Sequence, residues 1–212
     1  MAQRRCVWLL VSCFFDKMAS DNLGQMKKVF GVGWAKTGTT TLGSCFQILG
    51  YSHQSQKLAL AHHLKTGNLS RIISLARQMD TFEDWPWLIL YQELDKAFPG
   101  SKFVLTKRKS DRWISSYQNM LASQGDASEE LNEIRRTLYG LPFPHVTETQ
   151  LIERYERHNS EVESYFSMRP NDLLVVNWEE GAGWVELCDF LGMDVPNEPF
   201  PHANKGNYVA KD

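Results

Sequence analysis

Apolar positions along the chain fall into short runs separated by stretches with helical spacing. Val29 to Val32, Phe103-Val-Leu-Thr106 and Leu173 to Val176 are brief continuous runs, and Asp80-Thr-Phe-Glu-Asp84 is a shorter one that ends against Pro86. Runs of this length read as buried strands. Between them the period changes. Thr40 to Leu49 places Leu42, Phe46 and Leu49 on one face and closes at Gly50. Helical patterns follow over Gln56–Lys65 and Asn68–Met79, joined at Gly67, and over Trp87 to Phe98, stopped by Pro99-Gly100. Asp111 to Ala122 is entered through Ser110, and an acidic helix over Ser128 to Leu138 leads into the Pro-containing loop Gly140–His145. Thr147-Glu-Thr-Gln150 has the form of a capping box and opens a long helix to Phe166, and Trp184 to Leu191 ends at Gly192. Strands alternating with helices predict an α/β protein of three layers, with a central, mostly parallel sheet and helices on both faces. Such sheets bind ligands at the carboxyl ends of their strands.

Composition narrows this picture. The 212 residues suit one domain, with 42% apolar and 23% charged positions typical of a globular chain. A net charge of −2 argues against a dedicated nucleic-acid binder. Local charge says more: Lys102, Lys107, Arg108, Lys109 and Arg112 crowd together at the end of one strand. That cluster reads either as an electrostatic funnel for a small polyanion or as a solvated helix start. Cys6, Cys13, Cys45 and Cys188 have no C-x-x-C or metal-like spacing, which predicts free thiols and no metal site. Residues 1–25 stand apart as a tail, with Arg4-Arg5 before the apolar run Cys6 to Phe15. The run resembles a short signal-like segment but is too short to span a membrane, so no integral span is expected. It reads also as a dispensable or misassigned segment, because Met26-Lys-Lys-Val-Phe is a natural start for a single domain over 26–212, or as a structural extension.

The chemistry concentrates in Lys28-Val-Phe-Gly-Val-Gly-Trp-Ala-Lys-Thr-Gly-Thr-Thr-Thr41. An apolar strand running into a Gly-rich turn and then a helix is an anion cradle of the P-loop type. Gly33 and Gly38 have the spacing of G-x-x-x-x-G-K-[ST], but Thr39 stands where the Lys belongs, and the lysine has moved inside the loop to Lys36. A dinucleotide fingerprint also fails, since Gly31-x-Gly33 lacks its third glycine.

Lys36-Thr-Gly-Thr-Thr40 after a buried strand resembles the sulfotransferases that use 3′-phosphoadenosine-5′-phosphosulfate (PAPS). A second matching motif is Arg108-Lys-Ser-Asp-Arg-Trp-Ile-Ser-Ser116. Weaker similarity runs through Leu173–Glu179 and Pro199–Asn204, so the likeness covers Met26 to Asn204 and is similar to a compact microbial-type branch. The resemblance implies a P-loop-type fold, metal-independent in-line sulfuryl transfer from PAPS, and a small-molecule or glycan acceptor offering a hydroxyl or amine. It implies that Lys36 stabilises the bridging and leaving oxygens, and that Thr37, Gly38, Thr39, Thr40 and Thr41 line the phosphosulfate. It also implies that Arg108 and Ser116 grip the 3′-phosphate. A cytosolic donor points to a cytoplasmic protein. The family's catalytic His has no counterpart; Asp84, in Glu83-Asp84-Trp85-Pro86, stands in its place. Asp84 is the favoured base, with Glu83, His158 and His53 as alternatives. The Trp that follows G-T-T in the family is Thr41 here, so Trp178 is the candidate adenine contact, with a core role equally open. Lys205, in Asn204-Lys205-Gly206, echoes the family's R-K-G clamp. Two other readings stay open: a P-loop kinase or nucleoside triphosphatase with a displaced lysine, and a non-catalytic nucleotide-binding protein of the same fold.

Overall fold

The structure, a computed structural model, describes residues 27–201. Five parallel strands form one sheet in the order β2-β3-β1-β4-β5. They are β1 (Val29–Gly31), β2 (His53–Gln54), β3 (Thr81–Phe82), β4 (Lys102–Thr106) and β5 (Leu173–Val176). The mostly parallel expectation is therefore met by an all-parallel sheet, in which β1 pairs with β3 on one side and β4 on the other. β1 is thus the point where the strand order reverses, and the crevice beyond its carboxyl end is the natural ligand position.

Eight α-helices surround the sheet among the described residues: α1 (Thr39–Ile48), α2 (Ala61–Lys65), α3 (Leu69–Ala76), α4 (Tyr91–Ala97), α5 (Ser110–Ser123), α6 (Glu129–Tyr139), α7 (Glu148–Phe166) and α8 (Trp184–Leu191). Alternation along the strands sorts them into layers. Phe30 of β1 and Phe103 and Leu105 of β4 pack with Ile72, Leu94, Val162 and Phe166, so α3, α4 and α7 cover one face. Val29 and Val104 pack with Leu42, Phe46, Leu187 and Cys188, so α1 and α8 cover the other. Cys45 and Cys188 are free and buried, as their apolar surroundings predict, and burial pushes the Cys45 thiol up to about 12.

A third apolar cluster lies past the strand ends. There Trp34, Trp85, Trp113, Tyr117, Tyr139 and Tyr155 build an aromatic floor beneath α5, α6 and α7. Trp113 and Tyr155 stack with ring centroids 4.3 Å apart.

Several expected boundaries shift. The strand over 80–84 shrinks to Thr81–Phe82, and the helix over Trp87–Phe98 begins as a 3-10 turn, Trp87–Leu90. The pattern over Gln56–Lys65 splits into a 3-10 turn, Leu58–Leu60, and the short α2. β2 has no expected counterpart: it is two residues long and half-buried, too short to show a period. The capping box at Thr147 forms, with Gln150 N–H donating to Thr147 Oγ1 at 3.2 Å and Thr147 N–H to Gln150 Oε1 at 2.9 Å.

Candidate active site

The loop from β1 to α1 is held by contacts from every side. Val32 N–H donates to Val104 O at 2.8 Å and extends the β1–β4 pairing past the strand end. At Gly33 a side chain would collide with Thr106, so the two strand exits approach this closely only with glycine there. Thr37 Oγ1 donates to Trp34 O at 2.6 Å and lies 2.6 Å from Thr106 Oγ1, while Thr37 N–H donates to Trp34 O at 3.2 Å. Thr37 therefore spends its donors inside the turn. Its hydroxyl braces the loop, and Thr37 also lines the cleft. Trp113 Nε1 donates to Ala35 O at 2.9 Å, and buried His158 lies with Nε2 2.7 Å from Val32 O.

Gly38 caps α1 in the left-handed region at φ 99°, and a side chain there would collide with the Trp178 indole. Trp178 Nε1 donates to Gly38 O at 3.3 Å. Trp178 thus closes over the loop from the end of β5. Beyond Gly38, α1 points its first-turn amides into the cleft, with the positive end of its dipole. Thr39 and Thr41 are buried and Thr40 is exposed, and all three line the cleft.

Arg108 follows β4 and reaches the same loop. Its backbone N–H donates to the Tyr155 hydroxyl at 2.9 Å, and that hydroxyl donates back to Arg108 O at 2.8 Å. The guanidinium approaches Lys36 O at 3.5 Å through Nη1 and forms an ion pair with Glu179 through Nη2. Hydrogen bonding from Arg108 holds the Glu179 carboxyl below the usual range. Ser116, on the buried side of α5, lines the same cleft. The structure therefore brings Lys36, Thr37, Gly38, Thr39, Thr40, Thr41, Asp84, Arg108, Ser116 and Trp178 to one opening of about 1570 Å3.

Two non-glycine residues among those described have positive φ: Lys36 at 73° and Asp84 at 66°. Such geometry is uncommon for residues with a Cβ and gathers at functional positions. Asp84 lines the cleft, and its own Oδ1 accepts the Trp85 N–H at 2.7 Å. Its carboxyl is pushed up to about 7, first by burial and then by the charge of Glu83, against the pull of Trp85 N–H and of Lys36. Glu83 itself points elsewhere. It is buried behind α1, hydrogen-bonded by Ser55, with His53 Nε2 3.7 Å from its Oε1, and it does not line the cleft. His53 and His158 likewise lie away from the cleft walls; burial and the neighbouring Arg154 charge push His158 down to about 4, against its bond to Val32 O. Lys205 falls outside the described residues.

Sequence reading missed Glu179 as the partner of Arg108, and it missed the far wall of the cleft on α6. Neither had a local motif: both are set by how β5 and α6 pack around the opening. No group of three or more His, Cys, Asp or Glu side chains among the described residues is arranged to hold a metal ion. No described helix is long and apolar enough to cross a membrane.

A parallel sheet with a phosphate-type loop at its switch point and a cationic side chain beside it defines an anion-binding α/β fold. Residues 28–209 match the sulfotransferase domain family, so the chain belongs to that family and is a sulfotransferase. It is 25% identical over 211 residues to "Ava biosynthesis cluster protein M" of Aspergillus versicolor, covering 82% of this chain and 80% of that one. A crystal structure of a sulfotransferase from Alicyclobacillus acidocaldarius superposes with a TM-score of 0.51 at 18% identity, covering 81% of this chain and 83% of that one, which establishes the shared fold.

Proposed function

We propose that the protein transfers a sulfuryl group from PAPS to a hydroxyl or amine of a small acceptor, in line, with Asp84 as the base. The observation that carries this reading is the 3.5 Å approach of Arg108 to the Lys36 carbonyl, which makes one site of two anion grips far apart in sequence. The donor set suits a doubly phosphorylated adenosine: a helix N-terminus with Lys36 for one anionic end, and Arg108 with Ser116 for the other. Trp178 holds the loop through Gly38 O and also lines the cleft, where its ring is within reach of the adenine base.

The donor, when bound, supplies an activated SO3 group. Lys36 places its ammonium on the leaving phosphate oxygens and offsets the charge that develops there. The α1 amides and the hydroxyls of Thr39, Thr40 and Thr41 hold the phosphosulfate in line, and Thr37 braces the loop. Asp84 accepts the acceptor proton, and a carboxylate with a pKa near neutrality is matched to that task. The sulfuryl group carries less charge than a phosphoryl group, so cationic side chains suffice where a kinase recruits a metal.

The reading is tested with two variants. Lys36→Ala is expected to abolish sulfate transfer while the circular dichroism spectrum stays unchanged. Arg108→Ala is expected to weaken binding of 3′-phosphoadenosine 5′-phosphate by at least about tenfold more than binding of AMP, a difference of about 1.4 kcal/mol. Equal losses for the two nucleotides, or normal turnover by Lys36→Ala, would remove the assignment.

A further inference from the structure

We propose that the acceptor is an apolar, ring-containing alcohol or phenol with a carboxylate remote from its reacting hydroxyl, and that Arg135 reads that carboxylate. This rests on the donor assignment above, and it chooses between the small-molecule and glycan acceptors that the sequence leaves open.

The cleft is larger than one ligand needs: 1570 Å3 exceeds the range of about 300–1,000 Å3 usual for a single small-molecule site. Its length is marked out on α5. Arg112, Ser116, Met120 and Gln124 line it at intervals of four residues, one ridge along the helix, with Gln124 at the C-cap. Twelve residues of rise make that ridge about 18 Å long. Chemistry changes along it. Arg112 and Ser116 lie at the cationic end with Arg108, whereas Met120 begins an apolar stretch.

The facing wall is α6. Leu131, Ile134 and Leu138 recur at helical spacing and turn one apolar face to the cleft, above the Trp85 and Tyr139 rings. Such a wall suits a ring system. A polyhydroxylated sugar would leave its hydroxyls without partners there, each costing roughly 1–3 kcal/mol.

One charge interrupts the apolar end. Arg135 lines the cleft, half-buried, and its Nη2 donates to Gln124 Oε1 at 2.6 Å while its guanidinium lies 5.6 Å from the Phe143 ring centroid. These contacts hold it in place with a neutral partner. Its neighbours spend their charge differently: Arg136 pairs with Glu129 and Arg108 with Glu179, and no carboxylate among the described residues pairs with Arg135. A fixed guanidinium facing a cleft presents a fork that matches a carboxylate. Tyr117, on the floor, feels the charges of both Arg135 and Asp84. Both therefore face the acceptor part of the cleft, with Asp84 placed for the acceptor's reacting hydroxyl and Arg135 for the acceptor's remote carboxylate.

The experiment uses the full chain saturated with 3′-phosphoadenosine 5′-phosphate, titrated calorimetrically with a hydroxynaphthoate and with its methyl ester. Wild type is expected to bind the acid about tenfold tighter than the ester, equivalent to about 1.4 kcal/mol. In Arg135→Gln that preference is expected to vanish, while the affinities for ester and bisphosphate stay within about twofold, under 0.5 kcal/mol. Equal binding of acid and ester by wild type, or an acid preference that survives in Arg135→Gln, overturns the inference alone. Failure of wild type to bind the bisphosphate overturns the donor assignment and this inference with it.

Discussion

Asp84 and Lys36 share an unusual backbone and opposite charge, and the Lys36 charge works against the burial of Asp84. Both residues sit in the left-handed region, where a Cβ is tolerated only if surrounding contacts over-determine the turn. Because burial holds the Asp84 proton to about pH 7, against 3.8 for an ordinary aspartate, the folded state binds more protons than the unfolded one between those values. The stabilisation is complete below about pH 4 and is lost as pH rises through about 7. Asp84→Asn is therefore expected to raise Tm at pH 8 relative to wild type and to leave it nearly unchanged at pH 4. The same variant should lower kcat/KM by about 10²–10⁴-fold and erase its acidic limb near neutrality. A variant that keeps the limb assigns the proton to another group. Sequence favoured Asp84 over Glu83 but kept both, since both adjoin the same turn; in the fold Asp84 lines the cleft and Glu83 turns to Ser55.

At the scale of elements, the phosphate loop is a short segment fixed by what it touches. Gly38 answers two demands at once: a φ of 99° and the pyrrole edge of the Trp178 indole against its Cα. Gly38→Ala is expected to cost at least about 1 kcal/mol for the left-handed backbone alone. The collision with Trp178 adds to that. Pairing it with Trp178→Ala should recover the collision and leave the backbone cost, as read by chemical denaturation of the single and double variants. Full additivity of the two single effects would mean that the indole does not press on the loop. The Thr147 cap was legible because capping is a local interaction between a side chain and the next turn, whereas Ser110, expected as the entry to α5, lies inside that helix behind an uncapped Lys109. β2 was not, because two residues pair with β3 only once β3 is in place.

The whole molecule converges on α7. From one buried face of that helix, Tyr155 clamps the Arg108 backbone and His158 meets Val32 O, one turn apart, so a single helix sets the two anion grips relative to each other. Buried His158, with its pKa near 4 instead of 6.5, binds fewer protons folded than unfolded in that interval. Its contribution to stability is present above pH 6.5 and is lost as pH falls toward 4. It opposes the Asp84 slope over the same window. His158→Gln, whose amide can still reach Val32 O, is expected to expose the Asp84 trend, with Tm falling as pH rises from 4 to 7. Asp84→Asn is expected to expose the reverse. Parallel Tm profiles for the two variants would refute this opposition.

By itself the sequence determined the layered α/β fold, the loop at β1 and the order of the two anion-binding motifs, because each is written in short-range patterns of period, glycine spacing and charge. Tertiary structure alone decided that the Thr37 hydroxyl bonds within the loop, that Glu83 turns away to Ser55, and that Glu179 pairs with Arg108. It also placed the apolar face of α6 and Arg135 opposite the donor end. Those outcomes depend on which elements pack around the carboxyl ends of β1, β3, β4 and β5. A side chain's burial, and hence its charge state and partners, exists only once the elements around it have assembled.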